Sequence, residues 1–215
     1  MLACDPATEG DDRARSARRR TAPAFLAAAL VGMAAGVFTF GMKRLDDAPP
    51  WLGFWHGVAP WGVAAALAGA AFAGRWRAAA VAGAITQLGL VAGYYTIESV
   101  ALGTVSTDLS VHTAVGLVAG ALYGASGALV RGPRHGARVP ASGFLAAPWL
   151  ADGSRTLLDD VTDSGSGLAV AVGVLLFGAV LPFALNHSPR TRVAGFALAI
   201  ALAVLILWTK HVPLG

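Results

Sequence analysis

Three polar side chains share one face of a strongly apolar stretch. At about 100° per residue, Gln87 to Tyr94 is about 20° short of two helical turns, and Gln87 to Glu98 is about 20° beyond three. The trio therefore climbs from the middle of the apolar segment 78–97 to just past its end. An amide at the centre of a bilayer is costly until it finds a partner. Two readings meet that need. In one, Gln87, Tyr94 and Glu98 line a polar cavity that opens outward to a small solute. In the other, Gln87 makes one interhelical hydrogen bond, and Tyr94 and Glu98 are interfacial. A second face of the segment, with Ala82, Leu88, Ala92 and Tyr95, is expected to meet lipid.

Asp152 is the other candidate. An acid inside a crossing segment marks an ion or proton path by default. Arg155 lies three residues on, on the same helical face, and is placed to neutralise it. The alternative is a self-paired Asp152–Arg155 at a loop, outside the hydrocarbon. The five histidines are His56, His112, His135, His187 and His211. None pairs at metal spacing on a helix, so no metal site is expected. His56 and His112 fall near the same outer surface as Glu98 and Asp108, where an outward-facing site can draw on them.

No enzyme chemistry is expected. The string Gly124-Ala125-Ser126-Gly127 resembles the Gly-x-Ser-Gly of rhomboid proteases, whose Ser–His dyad works inside a helical bundle. The context differs: the rhomboid serine starts its helix near the outer face, whereas Ser126 ends one near the cytoplasm. His187 is expected in a loop, away from it. No P-loop occurs, so no ATPase is expected, and no cofactor is implied.

Elements that place such residues must be read from composition. The chain has 215 residues, 56% hydrophobic and 13% charged, with a net charge of +4. Soluble domains carry about 25% charged residues. Mean hydropathy is +0.63. The apolar content excludes disorder, and the single Cys4 excludes a disulfide scaffold. The basic residues sit in short clusters between apolar runs, the pattern of positive-inside topology and not of a nucleic-acid partner. Ala, Gly and Arg have GC-rich codons, which points to a bacterial plasma membrane.

About 20 apolar residues cross the hydrocarbon. Six spans meet that test: 22–42, 54–74, 78–97, 111–130, 167–185 and 193–208. Between the fourth and fifth of these lies 139–158, whose apolar part is short and contains Pro148, so it either crosses or is re-entrant. The expected fold is an all-α polytopic transmembrane helical bundle of seven segments. Residues 1–20 read as a disordered basic cytoplasmic tail, and 21–215 as a single transmembrane domain. Positive-inside counting puts the N-terminus inside but does not choose between six and seven crossings. Either topology leaves twelve Lys+Arg inside and four outside. The loop with Asp159, Asp160 and Asp163 has no basic residue, which favours seven.

Trp51, Trp55 and Trp61 flank the outer end of the second span, and Trp76 its inner end, as interfacial anchors. Gly32/Gly36, Gly89/Gly93 and Gly116/Gly120/Gly124 repeat at four-residue spacing. Such faces let helices approach closely, either within one bundle or at a homo- or hetero-oligomer seam.

The pattern resembles a family of uncharacterised actinobacterial multi-pass membrane proteins. The resemblance rests on Gly93-Tyr94-Tyr95 closing the third span and Pro60-Trp61 early in the second. It rests also on the glycine ladder of the fourth span before a basic loop, and on the Ala-rich 146–152 ending in Asp152. Those proteins often have Asn-Ser before the second-span tryptophan, where this chain has Val58-Ala59-Pro60. The resemblance implies a topology and no activity. Two functions follow as expectations: a small-solute binding or transport component with an outward-facing polar site, or a structural accessory protein without substrate. The lipid bilayer is the partner common to both.

Overall fold

The computed structural model describes residues 6–44, 59–104, 106–133, 135–160 and 167–211. Among them the chain forms seven helices and no strand: α1 Pro6–Lys43, α2 Ala59–Ala70, α3 Trp76–Leu102, α4 Leu109–Arg131, α5 His135–Asp160, α6 Leu168–Leu185 and α7 Pro189–His211. Five are long and apolar enough to cross a membrane: α1 from Ala22, α3, α4, α6 and most of α7. Their outward faces carry Leu30, Val118, Leu176, Val180 and Val204, all exposed in the isolated chain. Apolar patches of that extent mark lipid contact. Residues 6–20, part of the stretch read from composition as a tail, continue α1 as helix, and their Ala and Arg are good helix formers.

The fifth segment is longer and more regular than its short apolar part suggests. It forms one helix of 26 residues that keeps going through Pro140 and Pro148, about 39 Å long. Gly178 of α6 approaches Trp149 and Leu150, and Gly153 of α5 approaches Ala171 and Leu175, so α6 runs antiparallel along α5. Gly143 meets Gly195 and Leu198 of α7, and Ala146 and Leu150 pack with Ala199 and Ala203, so α7 runs parallel to it. With apolar helices on two sides, α5 buries the stretch from Ala146 to Ala151 that contains Pro148. The described part of α2 has 12 residues, about 18 Å, shorter than the second span predicted at 54–74.

The glycine pairs explain how α1–α4 assemble. A Cβ on Gly32 or Gly36 would lie 2.0 Å from the carbonyl oxygens of Thr86 and Leu90 on α3. Reciprocally, one on Gly89 or Gly93 would lie 2.5 or 2.3 Å from those of Ala29 and Met33 on α1. Two four-residue glycine pairs thus interlock, and α1 and α3 run parallel at backbone contact. Gly83 meets Gly120 and Gly124 in the same way, binding α3 antiparallel to α4, and Gly127 meets Ala66 of α2. These small-residue faces are occupied inside the chain. The register brings the last turns of α1 and α3 beside the first turns of α2 and α4.

Candidate functional site

At that shared end lies a cavity of about 180 Å³. Each of four helices contributes to it: Lys43 from α1, Trp61 from α2, Tyr94, Tyr95 and Glu98 from α3, and His112 from α4, with Ser106 and Asp108 from the preceding loop. Four rings close a circuit around it. Trp61 and Tyr94 have centroids 6.5 Å apart, Tyr94 and Tyr95 5.3 Å, Tyr95 and His112 6.0 Å, and His112 and Trp61 6.4 Å. The Lys43 ammonium stands 5.1 Å from the Tyr94 centroid and 5.5 Å from that of Trp61. Phe40 supports Tyr94 edge-on at 5.6 Å.

Hydrogen bonds fix the parts. The Tyr95 hydroxyl and His112 Nδ1 are 2.5 Å apart, tying α3 to α4. Glu98 Oε2 accepts from the Ser106 backbone N–H at 3.2 Å, which holds the α3–α4 loop over the site. The Trp61 indole N–H is buried without an acceptor among the described residues.

Of the residues predicted from sequence, Tyr94, Glu98 and His112 come together here. Gln87 faces the bundle interior, 4% exposed. It lies below the cavity, whose floor is Leu90 and Val91, and its amide Nε2 donates to the Trp61 carbonyl at 2.6 Å. The expected lipid face of the third span is half right: Leu88 and Ala92 are exposed, whereas Ala82 is fully buried against Phe72, Ala79 and Ala128, and Tyr95 is 7% exposed because it turns to His112. His56 lies outside the described residues.

Asp152 is elsewhere and is partnered differently from the expectation. Its Oδ2 accepts the backbone N–H of Ala59, the first residue of α2, at 2.8 Å. A carboxylate there satisfies an orphan donor and complements the positive helix end. Arg155 does not neutralise it; its Nε pairs instead with Asp159 at 3.5 Å, both exposed. One turn further along α5, rather than three residues back, is the geometry that arginine takes.

Lys43 and Trp61 were not among the predicted site residues. Lys43 reads as a boundary charge and Trp61 as an interfacial anchor. Only the parallel glycine-locked packing of α1 on α3 reveals that the end of α1 reaches the end of α3.

The arrangement limits the chemistry. No group of three or more His, Cys, Asp or Glu among the described residues is disposed to hold a metal ion. A larger concavity of about 770 Å³ runs between α1 and α2, lined by Ala28, Val31, Val63, Leu67, Trp149 and Phe177 among others. Nothing in that apolar lining orients a polar solute. The end cavity has few polar groups converging on a small volume, well below the roughly 300–1,000 Å³ of sites for drug-sized ligands.

Fold and surface together define an all-helical bundle whose long apolar helices fit a membrane. The chain belongs to a family of unknown function, DUF6518, whose pattern matches residues 15–213. No curated protein and no solved structure matches it.

Proposed function

We propose that the protein is a small-solute binding or transport component of the plasma membrane, without enzymatic activity. Its N-terminus lies in the cytoplasm, and the Trp61–His112 end faces outward. The supporting observation is the cavity itself: four helices bring an aromatic circuit, two carboxylates, one ammonium and one imidazole to a single small space. Apolar packing alone gives no reason to gather those groups. Support for that orientation comes from Arg75, Arg77 and Arg131, which lie at the opposite ends of α3 and α4 from the cavity.

A second reading has one observation in its favour. Gln87 and Asp152, the deep polar residues of the sequence analysis, both spend their side chains on α2 backbone groups. An accessory protein without substrate uses polar residues in that way.

The two readings separate in one experiment. The full chain in nanodiscs is challenged with small amines, amino acids, sugars and carboxylates, and unfolding temperature is recorded. A ligand that binds only the folded state raises it. The binding reading expects at least one class to stabilise the wild type but not a Glu98→Gln, His112→Phe double variant. If no class stabilises the wild type, or both chains respond alike, the accessory reading takes its place.

A further inference from the structure

Resting on the reading of this cavity as a solute site, we infer that it recognises a small organic ammonium cation, and that Lys43 is a tethered ammonium holding the place of that ligand. A cation over the face of Trp or Tyr within about 6 Å of the centroid is attracted by the ring quadrupole. The Lys43 Nζ meets that distance twice, at 5.1 Å over Tyr94 and 5.5 Å over Trp61. Those two rings belong to the closed circuit of Trp61, Tyr94, Tyr95 and His112. Several aromatic faces around a small space form the cage by which proteins bind quaternary and methylated amines.

Charge points the same way. Glu98 and Asp108 line the cavity, with Lys43 as its one Lys or Arg among the described residues. When the Lys43 side chain swings away, the cage keeps two carboxylates and loses its positive charge. Arg44, next in sequence, does not replace it, since its guanidinium stands over Phe40 at 5.4 Å. Size narrows the class: about 180 Å³ admits a compact headgroup and little more. The buried Trp61 N–H, without an acceptor among the described residues, leaves hydrogen-bonding capacity for a ligand hydroxyl or carbonyl. Lys43 thus competes with its own ligand, and the last turn of α1 sets how readily the cage opens.

The test uses the full chain in nanodiscs and three probes: tetramethylammonium, choline, and 3,3-dimethylbutan-1-ol, the uncharged carbon isostere of choline. Binding is measured by titration calorimetry. Choline is expected to bind the wild type about tenfold more tightly than the isostere, a difference of the size that a desolvated cation–π contact supplies. Lys43→Met keeps the apolar stem and removes the charge, so it is expected to bind choline and tetramethylammonium about tenfold more tightly again. Lys43→Gln serves the same purpose if the Met variant does not fold. Glu98→Gln is expected to weaken choline and leave the isostere unchanged. The inference is overturned if the isostere binds as well as choline, if neither ammonium binds either chain, or if removing the Lys43 charge brings no gain. A sugar, amino acid or carboxylate that stabilises the wild type where choline does not overturns this inference alone. Failure of every solute class overturns the wider reading with it.

Discussion

Gln87 on α3 donates its side-chain amide to the backbone carbonyl of Trp61 on α2 at 2.6 Å, directly below the aromatic cavity. The bond spans 26 positions of sequence and ties α3 to α2 at the residue whose indole lines the cavity. The buried amide is thus satisfied by a backbone group, next to one of the proposed site's aromatic walls.

Gln87→Leu tests that coupling. It removes the side-chain donor to the Trp61 carbonyl, which stays in the α2 helical ladder, and is expected to cost about 0.6–2 kcal/mol, the range for interhelical hydrogen bonds in membranes. Ligand affinity at the cavity falls with it. Reversible unfolding in mixed micelles and a parallel binding titration check both. Unchanged stability with unchanged binding shows that the bond does not position Trp61.

Asp152 caps α2 from 93 positions away. Asp152→Ala strands the Ala59 N–H and is expected to destabilise the chain by about 1–3 kcal/mol. Asp152→Asn keeps an acceptor and loses only the charge facing the helix end, about 0.3–1 kcal/mol. The same unfolding measurement ranks the two variants. A loss in Asp152→Asn as large as that in Asp152→Ala contradicts the capping role and returns Asp152 to consideration as a proton-path acid.

Glycine positions divide sharply by space. A Cβ on Gly36 meets the Leu90 carbonyl oxygen at 2.0 Å, whereas one on Gly173 meets nothing within 4 Å. Gly36→Ala is expected to cost at least the roughly 1–3 kcal/mol of core overpacking. Gly173→Ala is expected to be neutral or slightly stabilising, since it sits mid-helix in α6. Thermal unfolding of both variants decides whether the α1–α3 seam is as close as described.

The continuous α5 bears on topology. If α5 crosses along with α6 and α7, a reporter fused after Gly215 lies outside the cell. Activity of a periplasm-dependent reporter there is expected, and cytoplasmic activity contradicts seven crossings.

Much of the bundle is legible in the sequence because membrane length and helical period are strong signals. Five of the six spans, the inward-facing Gln87 and the glycine pairs follow from apolar length, 3.6-residue periodicity and the cost of a bare amide in hydrocarbon. The meeting of Tyr94, Glu98 and His112 is legible as a shared end. The partners are not. Ala59 and Trp61 receive or donate through their backbones, and a backbone group has no signature in residue type. Lys43 is hidden for a different reason. A basic residue after an apolar span looks like a topology signal, and its place over Tyr94 depends on the parallel register of α1 and α3. The uninterrupted α5 is obscured by Pro140 and Pro148, which break isolated helices but are tolerated where neighbours pack against them.

A solute cavity open to the outside at the Trp61–His112 end leaves Glu98 accessible from that side. In a chain with Cys4→Ser and Glu98→Cys, a membrane-impermeant thiol reagent is added to intact cells. Rapid labelling from outside is expected for a cavity that opens there. Labelling that requires permeabilised cells contradicts an outward-facing cavity.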